Sequence, residues 1–399
     1  MKNIHLHEKN QDTLTPKPED TTVNRILAII KYLNEETDPD THIVPQRIAD
    51  ELKFCYGWNI TRKTIAEYLK QMCSQDFNFG LECDSYKGNI KKYTYKRTFS
   101  FEQLSLLSDI ICSSMFLDDD TAEELLENIR SLTSIDRSYE LAGTNHYIRP
   151  RVPNKDSMHN IRIIHEAINR GLKIKYYYAG INKKKQLYYH KRTSSSTVLY
   201  KCFPYDNGAF TEKEYPIEKN STLGKPVTVS PYKLLWDNSR CYLVCGLEEE
   251  SGVKVFNCRV DRMFEIQIIH NSSLKKSAKI DKPRGSIFYD PVSESVDAQK
   301  YLHSVFKMYP SKDGRVIKAK FRVKNYFTKV IVERFGFEVE QIPDKDDSDY
   351  FIFEALVQPT KTFFGWLACY KTHEVKLIEP PELVKEYRDY LSDILGGYE

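Results

Sequence analysis

No stretch limits the possible folds of this chain more than Val227 to Ile269, VTVSPYKLLWDNSRCYLVCGLEEESGVKVFNCRVDRMFEIQII. Apolar residues run in short blocks separated by turn residues, so at least three strands are expected. Pro231 precedes the first, Asp237-Asn238 turns into the second at Cys241 to Cys245, and a loop from Glu248 to Gly252 leads to the third at Val253 to Val260. Alternation puts Asn257, Arg259 and Asp261 on one side of that third strand, and Phe256, Cys258 and Val260 on the other, the expected core side. The first side is left to meet an anion or a base. Arg262 breaks the alternation: either the strand ends or bulges near Asp261 and turns Arg262 outward, or Arg262 is a paired residue holding the sheet together.

A β unit of this size is a fraction of 399 residues, and at roughly 150 residues per domain the chain holds two or three. With 41% hydrophobic and 29% charged residues, and no apolar run near the roughly 18 residues that span a bilayer, membrane insertion is not expected. Residues 1–20 read as a polar flexible tail without the apolar stretch of a secretion signal. Nine cysteines with no Cys-x-x-Cys pair indicate neither a disulfide framework nor a standard zinc site. A cytoplasmic protein without cofactor or metal is expected.

The net charge is only +3, but it is unevenly placed. From Thr61 to Arg97 there are eight basic residues (Arg62, Lys63, Lys70, Lys87, Lys91, Lys92, Lys96, Arg97) against four acidic ones. In residues 21–97 the spacing predicts three helices. The first carries Val23, Ile26, Leu27, Ile30 and Leu33 behind a Thr21 or Thr22 cap. The second starts at Pro45 and stops near Gly57, and the third starts at Thr61 with Ile65, Leu69 and Met72 on one stripe. A hairpin follows, Phe79 to Asp84 and Ile90 to Lys96 around a turn at Lys87-Gly88-Asn89, with Tyr93 and Tyr95 packing inward and Lys92, Thr94 and Lys96 outward. Helix, turn, helix with a basic first turn is the docking geometry of major-groove readers. The candidate DNA contacts are Gln46, Thr61, Arg62, Lys63, Glu67 and Lys70, joined by Lys87, Lys91 and Lys92 of the hairpin. The plainer alternative is a solvated charged face. The string IVPQRIADELKFCYGWNITRKTIAEYLKQM resembles the winged helix-turn-helix of bacterial regulators.

Residues 98–156 read as a helical connector, with six acids and no base from Leu117 to Asn128 at the start of a helix, where negative charge suits the dipole. A further helix, Ser157 to Asn169, leads into the strand LKIKYYY and the β unit, residues 157–275. Between them Ala179 to Pro226, rich in lysine and tyrosine, is expected to form a strand pair with a long insertion. Residues 276–313 read as a linker. Residues 314–399 show the order strand, helix, strand, strand, helix, strand: Val316 to Val323, Asn325 to Gly336, Phe337 to Pro343, Tyr350 to Val357, Thr360 to Tyr370 and Glu374 to Ile378. This suggests a ferredoxin-like α/β sandwich closed by a last helix after Pro380-Pro381.

The order Ser230-Pro231-Tyr232, Cys241-Tyr242-Leu243, Asn257-Cys258-Arg259-Val260-Asp261-Arg262 resembles the core of WYL domains, with Cys241 where the namesake tryptophan stands. The stretch FFGWLACYKTHEVKLIEPPELVKEYRDYLSDIL is similar to the C-terminal extension that accompanies them. The resemblance implies a multidomain α+β chain: winged helix-turn-helix, helical connector, Sm-like (SH3-like) β-barrel and C-terminal α/β domain. It further implies a homodimeric transcription regulator, a repressor in the expected case, whose barrel senses a nucleotide or single-stranded nucleic acid. The candidate ligand residues are Ser230, Tyr232, Tyr242, Asn257, Arg259 and Arg262, since a guanidinium binds phosphate in a fork and stacks on bases. Alternatively Arg259 pairs with Asp261 or another acid, and Tyr242 is core. An accessory nucleic-acid binder without its own operator is the second functional expectation. No phosphate loop, His-Glu-x-x-His helix or nucleophile elbow is present, so no enzyme is expected.

Overall fold

The structure is a computed structural model that describes residues 17–74, 80–86, 90–143, 154–193, 198–203, 205–206, 209–210, 212–217, 225–250, 252–270 and 278–398. It is a mixed α/β chain of two compact units, Met1–Ser113 with Asp119–Ile148, and Ser114–Asp118 with Arg149–Glu399. Among the described residues no helix is long and apolar enough to cross a membrane.

The first unit opens with α1 (Thr22–Glu36), α2 (Pro45–Tyr56) and α3 (Arg62–Met72). Local chemistry sets their ends. The Thr21 and Thr61 hydroxyls accept from the backbone N–H of Asn24 and Thr64, each at 3.2 Å, satisfying donors that a helix start leaves orphaned. Pro45 occupies the first turn of α2, and Gly57 closes it at φ 80°, a left-handed conformation glycine adopts without a Cβ clash. Ile29, Leu33, Ile48, Leu52, Ile65, Leu69 and Met72 share one core with Trp58 and Tyr93. Val23 and Leu27, expected on the apolar stripe, are exposed, because α1 turns Ala28, Ile29 and Tyr32 inward instead.

The hairpin β1 (Leu81–Tyr86) and β2 (Ile90–Tyr95) is antiparallel, Cys83 facing Tyr93. Its expected turn at residues 87–89, Lys87 included, and Phe79 lie outside the described residues. Tyr93 exchanges both backbone bonds with Ile43, at 2.9 and 3.0 Å, which pins the hairpin to the helices. Thr94, expected outward, is buried because its hydroxyl bonds to His42. The expected connector supplies α4 (Phe101–Ser113), α5 (Asp119–Arg130) and α6 (Ile135–Gly143), which cluster with the first unit. Arg137 of α6 reaches Asp40 at 2.6 Å, and Arg97 spends its guanidinium on Asn34 and on the Thr37 carbonyl at 2.7 Å.

The second unit begins with α7 (Ser157–Arg170), β3 (Ile174–Tyr178) and an insert made of β4 (Gly180–Ile181), β5 (Leu187–Arg192), β6 (Val198–Phe203), the short pair β7 (Tyr205–Asp206) and β8 (Ala209–Phe210), and β9 (Lys213–Ile217). Then come β10 (Val227–Asp237), β11 (Arg240–Glu249), β12 (Gly252–Arg259), a 3-10 turn at Val260–Arg262 and β13 (Met263–Ile268). The sheet order is β12-β11-β10-β3-β13. Strands β12 and β13 sit at its two ends yet are joined by one turn of chain, so the sheet must curl round on itself. A bulge between Pro231 and Lys233 bends the long β10, which pairs β3 with its first half and β11 with its second. The insert is a four-stranded sheet in the order β4-β5-β6-β9 where a strand pair was expected.

The expected linker, residues 276–313, holds β14 (Tyr289–Asp290), β15 (Ser295–Val296) and α8 (Ala298–Ser304). Its Phe288, Val296, Tyr301, Val305 and Met308 are buried against Tyr232, Tyr242, Val244 and Val255. The segment therefore roofs the barrel face that strand alternation had left open. Beyond it lie β16 (Ile317–Lys324), α9 (Thr328–Phe335), β17 (Ile342–Pro343), β18 (Tyr350–Val357), α10 (Lys361–Leu367), β19 (Val375–Glu379) and α11 (Pro381–Gly396). The element order is the expected one. The antiparallel sheet runs β17-β18-β16-β19 around Phe321, Phe353, Phe363 and Leu377. The second expected strand, Phe337 to Pro343, shrinks to two paired residues, with Phe337 exposed.

Candidate nucleic-acid interface and anion site

Burying Ile65, Leu69 and Met72 turns the opposite stripe of α3 to solvent by helical geometry alone. Thr61, Arg62, Lys63, Glu67 and Lys70 are all exposed, as are Gln46 of α2 and Lys91 of β2, while Lys92 is half-buried. Among the described residues none of Arg62, Lys63, Lys70 or Lys91 is in an ion pair, whereas Lys96 meets Glu82 at 3.7 Å. Gln46 donates to Asp50 at 2.9 Å. Three cations on one helix face without internal partners can neutralise the phosphates of a duplex, and a helix of this width fits the major groove.

In the second unit the arginines gather around one carboxylate. Asp261, fully buried in the 3-10 turn, accepts from Arg259 Nε at 3.0 Å and Nη2 at 2.5 Å, and from Arg240 Nη1 at 3.3 Å. The side chains of Asn154 and Asn160, at the start of α7, donate to the carbonyls of Asp261 and Met263 at 2.8–3.1 Å and hold the turn in place. Burial pushes Arg240 below its ordinary value, and the charges of Arg259 and Arg262 add to the shift. For Arg259 burial works the same way, but the bonds to Asp261 outweigh it and hold it above the ordinary value. Arg262 lies on the same cluster with its Nε buried and, among the described residues, without a hydrogen-bond partner. Two guanidiniums meet the Asp261 carboxylate and Arg262 is near enough to lower Arg240, while Asp237 faces Arg240 across the hairpin. Tyr178, 39% exposed, accepts from the Arg259 backbone N–H at 3.2 Å and offers a ring beside the cluster.

The remaining ligand candidates do not join this cluster. Ser230 and Tyr232 are interior: the Ser230 hydroxyl lies 2.9 Å from the Asp281 N–H that donates to it, and Tyr232 donates to the Asp281 carbonyl at 2.6 Å. Lys173 pairs with the same Asp281 at 2.8 Å. Asn257 donates to the Met308 carbonyl at 2.9 Å and accepts from Tyr301 at 2.7 Å, and Tyr242 is buried beneath the roof. These four positions serve packing because the segment around α8 covers their face. Arg240 and Tyr178 escaped the sequence reading. The available signal was the two-residue turn at Asn238 and Ser239, both at positive φ, which sets Arg240 at the head of a tight hairpin.

Among the described residues no group of His, Cys, Asp and Glu is placed to hold a metal ion. The class these observations define is a multidomain α/β protein with an exposed cationic helix in one unit and an arginine cluster in the other. No family model matches the chain, and no curated protein does. Among solved structures it is similar to proteasome accessory factor B/C (PafBC) of Arthrobacter aurescens, 15% identical over 98% of this chain and 51% of that one, TM-score 0.24. This chain thus spans about half the length of that protein. It is also similar to a CRISPR Cas-related protein, 11% identical over 92% of this chain and 97% of that one, TM-score 0.31. Likenesses this distant leave the function to be read from the chain's own residues.

Proposed function

We propose that this chain is a DNA-binding transcription regulator, built as a winged helix-turn-helix in the first unit and a WYL-like Sm barrel with a ferredoxin-like C-terminal domain in the second. Helix α3 enters the major groove with Arg62, Lys63 and Lys70, and the β1–β2 hairpin lies along the backbone. The protein acts as a homodimeric repressor on an inverted repeat, by binding alone, without catalysis or cofactor. The Arg240, Arg259 and Arg262 cluster takes the phosphate of a nucleotide or single-stranded effector, a fork-shaped match that lysine could not supply. An effector changes DNA affinity only if it binds the competent and incompetent conformations unequally.

The observation that carries the reading is the set of exposed α3 cations without an ion pair among the described residues, set against a buried apolar stripe on the same helix. Selection of bound duplexes from a random pool, repeated at two salt concentrations, tests it. Enrichment of a spaced inverted repeat is expected. A pool recovered without sequence enrichment would instead indicate an accessory binder that has no operator of its own.

A further inference from the structure

The insert of the second unit sorts its charges by face. Cross-strand register puts Leu187, Tyr189, Lys191, Lys201 and Phe203 on one side of the sheet, and Tyr188, His190, Arg192, Val198, Tyr200, Cys202 and Lys213 on the other, where Val198 and Cys202 are buried and the three rings are half-buried. On the inner side Tyr189 and Phe203 stack on Phe264 of the barrel, each at 4.9 Å between ring centroids. The inner cations are matched there: Lys191 to Glu265 at 2.6 Å, and Lys201 to Glu212 at 2.8 Å and to Glu214. Among the described residues the outer side carries no carboxylate.

The outer side carries rings and lysines instead. Tyr188 and Tyr200 stack at 5.2 Å and 26°, and His190 meets both edge-on at 5.7 and 5.5 Å. Burial holds His190 below its usual value, so its ring is neutral near pH 7. Beside Tyr200 a cavity of about 600 Å³ is lined by Lys183, Lys184 and Lys213, all exposed and, among the described residues, none in an ion pair. The turn that presents the lysines is built, since Asn182 Oδ1 accepts from the N–H of Lys184 and Gln186 at 3.0 and 2.9 Å. The same Asn182 donates to the Tyr200 hydroxyl at 2.9 Å, tying the lysine turn to the ring row.

We infer that the outer face of this sheet binds single-stranded nucleic acid, bases stacking on Tyr188, His190 and Tyr200 and phosphates meeting Lys183, Lys184 and Lys213. Aromatic rings on a sheet receive any base through its π-face, and adjacent unpaired cations follow the backbone, so the surface is tolerant of sequence and sensitive to salt. A paired duplex hides the base faces such a platform needs. This site is separate from α3 and from the arginine cluster, and it stands whether or not those bind nucleic acid.

The test uses the full chain carrying Arg62→Ala, Lys63→Ala and Arg262→Ala, which weakens the other two proposed surfaces. Anisotropy is read with labelled 12-nucleotide single-stranded DNA and RNA of mixed sequence. Binding of either strand is expected, and the tighter arm identifies the source. Lys184→Glu with Lys213→Glu, both at exposed positions, should weaken it by about tenfold or more and flatten its salt dependence. Tyr200→Leu should weaken it by about tenfold, while Tyr200→Phe, which keeps the ring, should restore it. Equal affinities for the parent and the lysine variant overturn the inference. So does capture of a poly-glutamate peptide in place of either oligonucleotide, which would make the face a protein-docking surface.

Discussion

The two cationic places differ in what surrounds the charge. On α3 the side chains of Arg62, Lys63 and Lys70 stand in solvent with no ion-pair partner among the described residues, so they interact weakly with the fold and are free for a long polyanion. In the barrel Arg240 and Arg259 share a fully buried Asp261, with Arg262 added to the cluster and its Nε unsatisfied. The first arrangement suits a ligand chosen by total charge and groove shape. The second suits a small anion that fits among donors already oriented. The contrast also separates stability from binding: changing α3 should leave the fold alone, and changing the cluster's centre should not.

The largest expected effect breaks the cluster at its carboxylate. Asp261→Ala strands Arg240 and Arg259 half-buried without a partner and should cost about 3 kcal/mol or more of unfolding free energy, read by urea denaturation. A loss within about 0.5 kcal/mol, the range of ordinary surface changes, would mean the arginines are not held by Asp261. Next comes Arg259→Ala, which removes two of the three bonds to Asp261 and should cost about 1–3 kcal/mol, so a lost effector response in that variant would not isolate binding. Thr61→Ala removes the hydroxyl that caps α3 and should cost about 1 kcal/mol, with weaker duplex binding because the first turn carries Arg62 and Lys63. The smallest stability effect is expected for Arg262→Ala. Among the described residues its Nε has no bond to lose, so the unfolding free energy should stay within about 0.5 kcal/mol of the parent while effector retention falls at least about tenfold. Copurifying nucleotide measured by mass spectrometry reads that loss, and an unchanged yield removes Arg262 from the site.

What could be read beforehand was what local chemistry controls. The caps at Thr21 and Thr61, Pro45 in a first turn and Gly57 past a helix end are decided within a few residues, and the three helices begin and end where those residues put them. The exposed stripe of α3 followed from the same spacing. The barrel site was less accessible because it depends on contacts across distance. Arg240 meets Asp261 only once β10, β11 and β12 have paired, and nothing near Arg240 in the chain announces the partner. Strand alternation correctly put Asn257 and Arg259 on one face, but could not foresee that Tyr301 and Met308 would cover Asn257. Of the apolar residues of that roof, Phe288, Val296, Tyr301 and Val305, only the last two keep helical spacing, too short a run to mark an element, so the segment reads as linker. Helix α1 shows the opposite limit. Spacing pointed to a stripe with Val23 and Leu27, and packing in the core shared with α2, α3 and the hairpin turned Ala28, Ile29 and Tyr32 inward instead.

The central claim is that the α3 cations meet duplex phosphates. It is tested most directly by measuring affinity for the selected duplex across a range of salt, for the parent and for Arg62→Ala with Lys63→Ala. Each phosphate contact contributes a slope of roughly −0.9 in log K against log salt, so the double variant should bind more weakly with a slope shallower by about 2. Superimposable titrations for the two proteins would contradict the account.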